Sequence, residues 1–220
     1  MNLAPVQAIE GGILYPDFTQ GAAVGRQQRW AFGPLVPRAY ARIQDAALSH
    51  QQTQCLIAGG DDARVEIRVC FLQFVDRRPP AMIEREVELP AATLAELSDE
   101  GVAHAFSFED AVAGEVTAYA EPLGDALYRV TVRVENTTPL DDAMDWDEAA
   151  AARHSLASAH TAVGVAGGRI VSLIDPPAHY RRAAASCVNR GCFPVLVGDP
   201  ERSDTLLASP VILHDFPDAG

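Results

Sequence analysis

The chain has 220 residues, 48% of them hydrophobic and 21% charged, with a formal net charge of −13. That length suits one large domain or a domain with an appended subdomain, and the balance excludes a wholly disordered chain. All 17 basic residues are arginine, and the acidic excess argues against nucleic acid and anionic membranes as partners, since both are recognised by basic faces.

Residues 1–28 show no sustained period and read as an irregular lead-in. Trp30 to Val36 is apolar and punctuated by Gly33 and Pro34, as a short first strand would be. From Gln51 the period becomes two. Gln54 to Ala58 reaches Gly59-Gly60-Asp61-Asp62, and beyond it Val65, Ile67, Val69 and Phe71 alternate with Arg64, Glu66 and Arg68. Two such runs joined by turn residues predict an antiparallel hairpin. Arg77-Arg78-Pro79-Pro80 ends the second run, because proline has no ladder donor.

Ile83, Val87 and Leu89 alternate with Glu84, Glu86 and Glu88, predicting a strand wet on one face, with Arg85 the exception on the apolar side. Pro90 to Ser98 predicts a short helix with Leu94 and Leu97 inward. Gly114 to Ala120 predicts a strand, Gly124-Asp125 a turn, and Tyr128 to Glu135 a strand closed by Asn136-Thr137-Thr138-Pro139. Residues 29–139 therefore read as an antiparallel, sandwich-like β domain.

Composition changes at Leu140. Asp145 is a suitable N-cap with Glu148 three residues on, predicting a helix from Trp146 to about Ala157. His160 to Val165 and Arg169 to Ile174 flank Ala166-Gly167-Gly168, a second predicted hairpin. A helix is expected from Pro176 to Cys187, then short strands over Phe193–Val197 and Leu206–Leu213. Residues 140–220 thus read as a mixed helix and hairpin subdomain, either sharing one core with the first part or forming a separate domain. The fold class expected is α+β, mostly antiparallel β, with a smaller mixed α/β C-terminal part.

Motifs with a known mechanism are missing: there is no G-x-G-x-x-G, no G-x-x-x-x-G-K-[ST], no H-E-x-x-H and no G-x-S-x-G. No cofactor is predicted. Cys187 and Cys192 form C-x4-C without a second pair, which is more in keeping with small buried hydrophobes than with zinc ligands. His154 and His160 are six apart, the wrong spacing for one helical face. His160, Asp175 and Cys187 fall at the ends of predicted elements, where sites are often built, and are the candidates for a metal-binding or hydrolytic centre. For His160 a hydrogen-bonded structural role is the commoner fate. His214-Asp215 is half of a proton-transfer or metal pair, though adjacent side chains diverge. The acidic run Asp141, Asp142, Asp145, Asp147 and Glu148 lacks the glycine of a calcium loop and reads as a helix cap and solvated face. Trp30, Phe32 and Tyr40 would serve a small-ligand or carbohydrate site if exposed on one concave face.

Several segments are distinctive as text: Ser158-Ala159-His160-Thr161, Gly167 to Pro177, Cys187-Val188-Asn189, Phe193 to Gly198, and Ala208 to Pro217. With Gln54-Cys55-Leu56 and Phe71-Leu72-Gln73 they cover roughly two-thirds of the chain. They resemble a family of uncharacterised proteins from actinobacteria and related GC-rich bacteria, associated with gene neighbourhoods of actinobacterial-type nickel–iron hydrogenases. Members of that family continue past the equivalent of Pro217 into an acidic helical extension, so nothing about that extension carries over, and the family supplies no catalytic residue. The resemblance implies a non-catalytic accessory or assembly protein that binds a partner protein. The N-terminus has no signal-peptide pattern and no apolar run approaches a bilayer span, so the expected location is cytoplasmic.

Overall fold

A computed structural model describes residues 33–44, 47–75, 81–109, 111–140, 148–210 and 213–217. Trp30, Phe32 and the acidic run from Asp141 to Asp147 lie outside the described residues. The elements in chain order are α1 (Arg38–Ala41), β1 (His50–Val75), β2 (Ala81–Glu88), β3 (Ala92–Thr93), α2 (Leu94–Asp99), β4 (Val102–Phe108), β5 (Val112–Gly124), β6 (Leu127–Asn136), α3 (Glu148–Arg153), β7 (Ala157–Val171), α4 (Arg181–Ala185), β8 (Phe193–Val197) and β9 (Thr205–Ser209). A 3-10 turn, Ala178–Tyr180, precedes α4. The class is α+β and mostly antiparallel β. No described helix is long and apolar enough to cross a membrane.

All nine strands join one open antiparallel sheet in the order β4-β5-β6-β1-β7-β9-β8, with β2 and β3 also on β1. The strands expected to group sandwich-like within 29–139 enter this sheet together with strands from beyond 140. β1 organises it. Its first half pairs β6 from His50 to Ala58, and its second half pairs β3 and then β2 from Arg64 to Val75. Along its other edge runs β7, from Leu56↔Val171 to Leu72↔Ala157.

Neither predicted hairpin forms. The runs on either side of Gly59–Asp62 belong to a single 26-residue strand, and those around Ala166–Gly168 to a single 15-residue strand. The two strands pair with each other, and the register shifts between Gly59↔Gly168 and Arg64↔Ala166. Both glycine clusters therefore occupy one bulge, where extra residues bend a strand without ending it. The fit is close. A Cβ on Gly59 would lie 3.1 Å from Gly168 Cα, and one on Gly168 would lie 3.1 Å from the Ala58 carbonyl oxygen. Gly167 sits at φ +81°, which L side chains rarely adopt. The Tyr128 hydroxyl donates to Asp61 and fixes the bulge from β6.

The alternation read from sequence holds in the core. Val65, Ile67, Val69 and Phe71 are buried and join Val116, Val130, Val132, Val163 and Leu206 in one cluster. The sheet curls enough for Phe71, near the end of β1, to meet Phe106 and Phe108 of β4, with ring centroids 5.7 and 5.8 Å away. Leu94 and Leu97 of α2 are buried in the same core. Helix α2 begins later than predicted, at Leu94, because Thr93 and Glu96 form a reciprocal capping box there. Helix α3 ends at Arg153, not near Ala157, since Leu156 exchanges backbone hydrogen bonds with Leu35 at 3.0 Å and leads straight into β7. The helix expected over Pro176–Cys187 is confined to the 3-10 turn and α4, and β9 stops at Ser209. Strand β4 has no counterpart among the predicted elements.

Candidate functional site

The three candidate site residues fall in three different surroundings. His160 lies in β7 and is buried. Its Nδ1 is 2.6 Å from the Ser158 carbonyl oxygen. Burial pushes its pKa down to about 4, against the smaller raising effect of that carbonyl, so the ring is neutral at neutral pH. Asp175 is exposed just past β7, where its N–H donates to Ser172 Oγ at 2.9 Å. Cys187 is half-buried beyond α4. Burial raises its pKa although the Arg129 guanidinium beside it works in the opposite direction. Among the described residues no group of three or more His, Cys, Asp and Glu side chains could hold a metal ion.

Two further thiols are equally quiet. Burial, with a smaller contribution from Cys187, pushes Cys55 up to about 12. Cys192 is pushed up to about 11 by burial, although Thr53 and the Arg190 backbone lower it. Each of these three cysteines stays a thiol at neutral pH, whereas nucleophiles and metal ligands are thiolates. Strand pairing does create one row that sequence reasoning missed. His160, Cys70 and Glu86 are successive cross-strand partners on β7, β1 and β2, with Cys70 Sγ 3.8 Å from Glu86 Oε2. No local signal announces it, because the three residues come from separate segments whose register is set by the fold.

His214-Asp215 has a structural use. Asp215 accepts from Ser172 Oγ at 2.5 Å and from the Leu196 N–H at 2.9 Å, tying the 213–217 segment to β8. Tyr40 is buried against Val36 and Ala151, so it offers no exposed ring to a ligand. Positive charge collects around His50. Glu135 binds Arg38 at 2.8 Å and Arg133 at 3.3 Å, and burial together with Arg133, Arg190 and Arg38 lowers the His50 pKa.

The sheet edges distinguish one strand from the rest. Edges are normally blunted by charge, proline or cover. Strand β8 carries Pro194, and the Phe216 N–H donates to its Leu196 carbonyl at 2.6 Å. Strand β2 exposes Glu84, Glu86 and Glu88. Strand β4, Val-Ala-His-Ala-Phe-Ser-Phe, has no acidic or arginine side chain, and among the described residues no strand pairs with its outer side.

The geometry of β4 follows from its neighbour. The Ala113 carbonyl accepts from the Thr137 N–H at 3.0 Å, and the Ala113 N–H donates to Thr138 Oγ1 at 2.9 Å, so odd-numbered residues of β5 address β6. Even-numbered ones address β4, where they pair Val102, His104, Phe106 and Phe108. Backbone groups alternate sides in an antiparallel strand, which leaves Ala103, Ala105 and Ser107 with outward N–H and C=O groups. These three side chains are exposed, while Val102, Phe106 and Phe108 are half-buried toward the core. Phe106 lies over Gly114, whose absent Cβ would come 2.2 Å from the ring. Arg85 stacks 4.9 Å from the Phe108 centroid and pairs with Glu109 at 2.9 Å, which holds the far end of the strand. The edge is thus rigidly backed and, among the described residues, unpaired on its outer side. No protein-family model matches the chain, and no curated protein matches it either.

Proposed function

We propose that this is a non-catalytic accessory or assembly protein that binds a partner protein by adding one of the partner's segments as a strand to β4. The observation that carries the reading is the β4 edge, which has no acidic or arginine side chain and no strand on its outer side among the described residues, with its outward backbone groups at Ala103, Ala105 and Ser107. Strand addition draws affinity from main-chain hydrogen bonds, and an edge held straight by packing loses little conformational freedom on binding. Protonated Cys55, Cys187 and Cys192 and the neutral, buried His160 favour the non-catalytic side of the reading. The resemblance noted above makes a nickel–iron hydrogenase subunit or maturation factor the first partner to test.

The test is a native pull-down of the tagged protein beside Ala105→Pro, with mass spectrometry and metal analysis of each eluate. Proline removes an outward donor while sparing the bonds to β5. A stoichiometric partner present with the parent and missing from a folded Ala105→Pro supports the reading. A partner held equally by both, or stoichiometric metal with no partner, refutes it.

A further inference from the structure

We infer that the segment received by β4 is extended, with basic side chains on one face and apolar ones on the other; the inference rests on the strand-addition reading and names its partner's chemistry. On the outer face of the edge the side chains are Ala103, Ala105 and Ser107, all small. Behind Ala105, in register on β5, stands Glu115, which has no ion-pair partner among the described residues. Glu115 is about 9.6 Å, two strand spacings, from the position of an added strand. A short side chain there could not reach it. An arginine or lysine could lie across the methyl of Ala105 and place its charged head on the carboxylate, as long cationic side chains do when their stems cover apolar surface.

The N-terminal end of the edge carries the same sign, while Glu109 at the other end is already paired with Arg85. Asp99 and Glu100 are exposed immediately before β4, and Glu109 follows it. On the other face, half-buried Val102, Phe106 and Phe108 flank exposed His104 and offer apolar surface that an incoming valine or isoleucine would cover. Charge also argues against a second copy as the occupant. Antiparallel self-pairing about Ala105 would leave Glu115 without a cation, because β4 itself supplies no arginine.

The test uses the full chain and fluorescein-labelled, end-blocked peptides alternating arginine with valine, their glutamate–valine counterparts, and arginine–valine peptides N-methylated on alternate backbone nitrogens. Binding is read by fluorescence anisotropy. The arginine peptide should bind at least about tenfold tighter than the glutamate peptide, and N-methylation should abolish binding, which separates strand pairing from bulk attraction to an acidic protein. Glu115→Gln should weaken the arginine peptide on the order of threefold, as expected for one exposed pair, whereas Glu201→Gln at a distant exposed site should not.

Equal binding of arginine and glutamate peptides, both lost with N-methylation, overturns the inference and leaves strand addition standing. Binding indifferent to N-methylation, or to Glu115→Gln, overturns it too. If no peptide binds and amide exchange across 102–108 is unchanged by peptide, both the inference and the strand-addition reading fall. A concentration-dependent dimer in sedimentation that Ala105→Pro abolishes would assign the edge to a second copy instead.

Discussion

His160 stands inside β7 as a neutral imidazole, and its titration is a property of the fold more than of a site. Its pKa of about 4 lies below the ordinary 6.5 because burial penalises the charged ring. Between those values the unfolded chain binds a proton that the folded chain excludes. Stability from this residue is therefore complete above pH 6.5, declines as pH falls, and levels off near pH 4, a loss of about 3 kcal/mol. Urea unfolding of wild type and His160→Gln at about pH 7.5 and about pH 5 checks this, and the variant should lose most of the slope. Thr93 gives a second single-residue expectation. Thr93→Ala removes the side chain that accepts from the Glu96 N–H at 3.2 Å, and thermal melts should show a loss of about 1 kcal/mol. Residue chemistry of this kind was legible in part. The inward faces of Leu94 and Leu97 follow from their spacing, whereas Cys70 and Glu86 become neighbours of His160 only through pairing across three strands.

Among the elements, β4 depends on a glycine that belongs to its neighbour. Gly114→Ala would place a Cβ 2.2 Å from Phe106 Cζ and 2.9 Å from the Glu135 carbonyl oxygen, so the ring must leave its seat. Denaturant melts should show a loss of about 1–3 kcal/mol, with amide exchange accelerated first across 102–108. The sequence hides this strand because its outward residues are alanine and serine, which give little polar contrast to mark a period of two. It hides the continuity of β1 and β7 for a different reason. Gly-Gly-Asp-Asp is good chemistry for a turn and for a bulge alike. What decides is Gly167-Gly168, over a hundred residues away, which nests against Gly59. Alternation in Val65–Phe71 and the run Phe193–Val197 survive unaltered, since local pattern and burial agree there.

For the molecule as a whole, β7 is the element that cannot be spared. It lines β1 across the bulge and forms the link to β9 and β8. Residues 1–139 expressed alone would leave the β7 edge of β1 unpaired and strip Val163, Val165, Ile170 and Leu206 from the core around Ile57, Val65, Ile67 and Val69, and should show no cooperative thermal transition, whereas the full chain should melt in one step by far- and near-ultraviolet dichroism. The tether at the opposite end of the sheet bears on stoichiometry. With β8 sealed through Asp215 and Phe216 and β2 fringed by glutamates, β4 is the edge among the described residues that the proposed strand addition would use, and that proposal predicts one guest per molecule. Removing residues 213–220 would give the sheet a second accepting end. On the strand-addition proposal a capped adaptor would then become a link, and light scattering should register a complex with two guests per molecule where the full chain holds one.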